Sequence, residues 1–160
     1  MRNILCVIAI MALALTGAMA GQTQPTETTS CVEAGTGHKI NGYKYLCMQD
    51  LGNQYELEDK FNSYFESKGF VILSEDEENE LDEAEKNYVL YGSYVCVLPE
   101  SGAANLSLSL RNKSGKMIFS CSKEGTCMFS PKCEFRKASN KIIKQLDKIL
   151  VTRYVFPKIG

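Results

Sequence analysis

Cysteine is the residue type in this chain with the most chemistry to offer. Seven cysteines are present: Cys6 near the start, then Cys31, Cys47, Cys96, Cys121, Cys127 and Cys133. A thiol can act as a staple, a metal ligand or a nucleophile, and spacing helps to separate these roles. Structural zinc sites favour close Cys-x-x-Cys pairs, and dithiol redox sites want the same motif at a helix start. The chain has neither arrangement. The six later cysteines are therefore disulfide candidates, with connectivity open. Cys121, Cys127 and Cys133 recur at equal spacing ahead of an amphipathic segment, so at least one bridge is expected to cinch that loop. Cys47 and Cys96 fall inside apolar stretches, where they either bridge neighbouring strands or stay buried as thiols.

Other constellations are thinner. His38 is the sole histidine and stands before the first apolar segment, so a Ser-His or Cys-His catalytic pair would have to use it. A polar residue ahead of a strand is the simpler reading. Gly35-Thr36-Gly37 and Gly115-Lys116-Met117 lack the remaining positions of a phosphate-binding loop. The acidic run Glu75 to Glu85 lacks the glycine and alternating ligands of a calcium loop and reads as a solvated helix. Tyr88, Tyr91 and Tyr94 suggest either an exposed stripe or cross-strand packing, with packing the default. Asn105-Leu106-Ser107 and Asn112-Lys113-Ser114 match the N-glycosylation pattern, which matters only in a eukaryotic secretory pathway. No catalytic, cofactor-binding or metal-binding residue is assigned, and no cofactor is expected.

The cysteines acquire a compartment from the first 20 residues. Arg2 and Asn3, the apolar run Ile4 to Leu15 and the exit Ala18-Met19-Ala20 read as a secretory signal peptide. The run is shorter than the ~20 residues that a membrane span needs. Cys6 has no Gly or Ala before it, so it is not read as a lipidation site. A secreted or periplasmic location follows, where cysteines persist as disulfides. The whole chain carries 18 basic and 19 acidic residues, and no global field favours nucleic acid or anionic membrane. Charge is instead segregated, with Glu75 to Glu85 acidic and Lys132 to Lys148 mostly basic.

The elements that must position these groups follow from pattern. Residues 21–37 read as a flexible arm, anchored only if Cys31 is bridged, and residues 38–160 as one domain. Ile40 to Met48 is expected as a strand. Gln54 to Lys68 is expected as a helix with Asn53 as N-cap, Glu56 completing a capping box and Gly69 as the stop. Phe70 to Leu73 reads as a short strand and Glu75 to Asn87 as an exposed helix. Tyr88 to Leu98 reads as a central strand. The alternating Leu106, Leu108 and Leu110 and the segment Lys116 to Cys121 read as a hairpin. Ser130-Pro131 opens a long final helix striped by Phe135, Ala138, Ile142, Leu146 and Ile149. Val151 to Phe156 is either its continuation or a terminal strand. The class is α+β: a mixed sheet of about four to five strands, two amphipathic helices on one face, and disulfide reinforcement.

Two phrases carry a family resemblance. Phe65-Glu66-Ser67-Lys68-Gly69-Phe70-Val71-Ile72 closes the first helix, and Asn87-Tyr88-Val89-Leu90-Tyr91-Gly92-Ser93-Tyr94 carries a Leu-x-Gly step. With the hairpin and closing helix they resemble cell-envelope domains: the TolB N-terminal domain, the periplasmic domain of the curli exporter CsgG and the activator lipoproteins of peptidoglycan synthases. The resemblance implies a non-enzymatic adaptor that binds other envelope proteins through its sheet edge and loops. It offers no catalytic residues to carry over. The absent lipidation cysteine and the many other cysteines depart from that pattern. The expected function is thus a secreted or periplasmic, disulfide-stapled binding module whose partner is another envelope or extracellular protein. Its rivals are a secreted effector or inhibitor using the arm and the Cys121 to Cys133 loop, and a thiol–disulfide or hydrolytic enzyme.

Overall fold

In the computed structural model, residues 31–33, 40–100 and 102–150 are described. The strands are β1 (Cys31–Glu33), β2 (Tyr45–Met48), β3 (Val71–Leu73), β4 (Val89–Val97), β5 (Ala104–Arg111) and β6 (Met117–Gly125). The helices are α1 (Leu57–Ser67), α2 (Glu75–Glu80) and α3 (Pro131–Ile149). One mixed sheet runs in the order β1-β6-β5-β4-β2-β3. β4, β5, β6 and β1 pair antiparallel, while β2 lies parallel to both β4 and β3.

The Leu106, Leu108 and Leu110 alternation places these side chains on one face of β5, and all three are fully buried. Leu46, Leu90, Tyr94 and Phe119 join them on that face. Phe61 and Phe65 from α1, with Phe135, Ala138, Ile142 and Leu146 from α3, complete the core. Burying such side chains is worth roughly 1.5–3 kcal/mol each before entropy is charged, so this layer is the principal stabiliser of the domain. Gly125 permits the closest approach of sheet and helix. A Cβ there would fall on the Glu134 carbonyl of α3.

Four local expectations change. The first strand starts at Tyr45, because Ile40–Gly42 is a 3₁₀ turn. Helix α1 starts at Leu57, because Asn53, Tyr55 and Glu56 adopt left-handed φ values of 46°, 57° and 61°. No capping box forms there. Asn53 Oδ1 accepts instead from the Glu58 N–H (3.1 Å), and Glu56 pairs with Lys132. The acidic helix stops at Glu80, and Glu85–Tyr88 is a separate 3₁₀ turn. The sixth strand comes from the presumed arm: Cys31–Glu33 pairs with β6, Cys31 opposite Cys121 in the register. Cys-Val-Glu is too short to show an alternation of its own, and the pairing supplies the order by satisfying the β6 backbone. Ser130 caps α3 as read, accepting from the Cys133 N–H (3.3 Å). The rest of the arm, His38 and Val151 to Phe156 lie outside the described residues.

Candidate functional site

Helices cover one face of the sheet, so candidate sites arise on the other face and at its ends. Three regions stand out there. The first is a corner where α2 folds over β2 and β4. Tyr45, Cys47 and Val89 form a second buried cluster in this corner, sealed by Leu73, Leu81 and Tyr91. Ser74 locks α2 in place with a complete capping box: its hydroxyl accepts from the Glu77 N–H (3.2 Å), and Glu77 accepts from the Ser74 N–H (2.8 Å). Tyr91 donates its phenol to Glu78 Oε1 (2.6 Å), tying helix to sheet. Beside this contact is a 530 Å³ pocket lined in part by Cys47, Glu75, Glu78, Tyr91 and Arg111.

The pocket does not offer an activated thiol. Burial, then the nearby Glu78 and Glu75 carboxylates, push the Cys47 thiol above its ordinary pKa. Burial does the same to Cys96. Both shifts favour the protonated thiol, the form that attacks poorly. Burial and then the bond to Glu78 raise the Tyr91 phenol as well. Among the described residues no group of three or more His, Cys, Asp or Glu side chains is placed to hold a metal ion.

The second region is the remainder of the same face, over which no described helix packs. Ser93, Ser109 and Ser120 lie in register across β4, β5 and β6, with Val95, Ser107 and Ser122 in the next row. The Ser107 and Ser122 hydroxyls are bonded at 2.6 Å. Val95 and Val97 are 58% and 52% exposed. The tyrosines do not form a stripe: Tyr91 faces α2, Tyr94 is buried in the helix-side core, and Tyr88 is half exposed. Three positions along a strand reverse the face, which separates Tyr91 from Tyr94.

The third region is the loop between β6 and α3. Cys127 and Cys133 are disulfide-bonded with Cα atoms 5.9 Å apart, as the expected cinch requires. Cys121 is also disulfide-bonded. Between the bridged residues, Met128 is 99% and Phe129 91% exposed. Lys137 Nζ donates to the Thr126 carbonyl (2.9 Å), and Glu134 Oε1 accepts from the Cys127 N–H (3.3 Å). Both contacts brace the loop base from α3. The cysteine spacing and Ser130-Pro131 mark the loop in the sequence, but nothing there marks its two apolar residues as exposed.

Cys47 and Cys96 do not join the disulfide set: both are free thiols. Register explains this. Cys47 stands beside Tyr91 on the α2 side of the sheet, whereas Cys96 packs against the helix-side core. Cys96 also lies five residues beyond Tyr91 on β4, about 16 Å along a strand. No rotamer brings the two sulfurs together.

No family model matches the chain, and no curated protein does. Among solved structures, a PelC dodecamer from Paraburkholderia phytofirmans is similar over 76% of this chain and 98% of its own, with a TM-score of 0.47 and 11% sequence identity.

Proposed function

We propose that this chain is a secreted or periplasmic, non-catalytic adaptor that docks another envelope protein on the uncovered face of β4, β5 and β6. The observation that carries the reading is Val95 and Val97 standing exposed beside the polar rows of Ser107 and Ser122 and of Asn105 and Glu124. Such a face sets an apolar margin on β4 beside a polar surface on β5 and β6, a mix of apolar and polar contact area that protein interfaces use. Serine loses little side-chain entropy when it is ordered, so the face costs little to immobilise. The disulfide at Cys127–Cys133 suits an oxidising compartment. The burial that raises the Cys47 and Cys96 thiols disfavours the thiolate that the thiol-exchange rival needs.

The test is partner capture from the native compartment with oxidised protein, comparing the unaltered chain with a Val95→Glu/Val97→Glu variant. The adaptor reading expects one partner to be retained by the first and lost from the second. Equal capture by both would remove the sheet face from consideration. Turnover abolished by changing a single residue would overturn the non-catalytic reading.

A further inference from the structure

We infer that the Met128–Phe129 tip inserts into an anionic lipid surface. The inference rests on the envelope location proposed above but not on the sheet-face partner. Met128 and Phe129 are the most exposed large apolar side chains among the described residues. Residues that touch almost nothing of their own domain gain the most from apolar surroundings. They are also presented rather than dangling. The Cys127–Cys133 bridge closes the loop, Ser130 caps α3 immediately after it, and Lys137 and Glu134 brace its base. A tip already ordered forfeits little entropy on insertion.

Charge selects lipid over a neutral apolar partner. Helix α3 carries six basic and two acidic residues, in a chain whose overall charge is −1. The local excess therefore opposes the global balance. Lys132, Arg136 and Lys137 occupy the first two turns, directly behind the tip. Glu134, the one carboxylate in those turns, is turned into the loop base. Glu56 offsets Lys132 through its ion pair and Lys137 spends one donor on the Thr126 carbonyl, which leaves exposed Arg136, with the remaining donors of Lys137, as the main headgroup contacts. An apolar point backed by basic residues is the pattern of interfacial binding, in which apolar insertion and attraction to anionic headgroups add. No helix among the described residues is long and apolar enough to cross a membrane, so attachment would be to one leaflet.

The chain has no tryptophan, so Phe129→Trp installs a single reporter at the tip. The exported chain, kept oxidised, is mixed with vesicles of equal parts phosphatidylglycerol and phosphatidylcholine, or of phosphatidylcholine alone. The expected result is a blue shift of Trp emission with the anionic vesicles, weaker with the neutral ones and reduced by salt. A Met128→Ser/Phe129→Ser variant should cosediment at least about tenfold less, while its near-ultraviolet circular dichroism stays unchanged. Absence of the spectral shift, or unchanged cosedimentation of the double serine variant, would overturn the proposal. So would tip-dependent capture of a protein by a chain that ignores vesicles. The Val95→Glu/Val97→Glu variant separates the two readings, because it should lose its protein partner and keep vesicle binding.

Discussion

The two ends of strand β5 treat apolar surface in opposite ways. Near Arg111, the second face of the sheet carries Tyr45, Cys47 and Val89, and the chain covers them with α2, a helix with no buried residue of its own. Near Ala104, the chain leaves Val97 half exposed and holds Met128 and Phe129 fully out in solvent. One end uses a capping box and a Tyr91–Glu78 bond to keep a lid closed. The other uses a disulfide to keep a tip open. The Cys127–Cys133 bridge thus sits where no burial compensates the ordering of the loop. The end with an apolar cluster to seal needs only hydrogen bonds. Electrostatics divide along the same line, with carboxylates concentrated on α2 and basic side chains on α3.

The sharpest way to break the comparison is to remove the bridge. Cys127→Ser with Cys133→Ser should cost about 2 kcal/mol, the amount expected for so short a closed loop. The urea midpoint would fall with an unchanged slope, because the core against Phe135 and Ile142 remains. Amide exchange in the loop should rise far more than in β5. A loss confined to global stability, with no change in loop exchange, would mean the tip is ordered by α3 alone.

A smaller effect is expected at the lid. Ser74→Ala removes the cap of α2 and should cost about 1 kcal/mol. Acid should act on the same contact. The Ser74 backbone N–H and hydroxyl hold the Glu77 carboxyl below the usual carboxylate range. The sign follows: a carboxyl with a lowered folded pKa lends stability above its unfolded pKa, and that contribution fades as pH falls through the lowered value. Following the Ser74 amide shift through an acid titration should therefore show α2 releasing at low pH. In Ser74→Ala that transition should move up in pH. An unshifted transition would assign the lid to Tyr91–Glu78 instead.

Much of this architecture is legible in the sequence because period and chemistry agree. The Leu106, Leu108 and Leu110 alternation, the α3 stripe and the Ser130-Pro131 cap each specify one local answer, and tertiary packing does not contest it. The α1 entry departs from its pattern because left-handed Tyr55 and Glu56 are held by contacts distant in sequence. Tyr55 stacks on Phe135 with centroids 4.6 Å apart, and Glu56 meets Lys132. The real capping box, at Ser74 and Glu77, is hidden inside a run of carboxylates where any glutamate looks like solvated surface. Strand β1 is illegible because its order comes from pairing with β6. The bridge at Cys127 and Cys133 is readable from spacing. The exposure of Met128 and Phe129 is not, since an apolar pair usually signals burial.

The gentlest probe leaves the fold intact and reads the thiols. If the two ends differ as described, the free cysteines should be slow to react for different reasons. Cys47 lies beneath α2, only 6% exposed, and Glu78 and Glu75 raise its pKa beyond the effect of burial. Cys96 is partly exposed near the open end, and burial alone raises it. Alkylation of oxidised, folded protein followed by peptide mapping should therefore label Cys96 first and Cys47 much later. Cys127 and Cys133 should remain unlabelled until reduction. Ser74→Ala should speed labelling of Cys47 and leave Cys96 unchanged, because only the lid has been loosened. Equal acceleration of both would mean that α2 is not a local lid, and that the two ends of the sheet open as one unit.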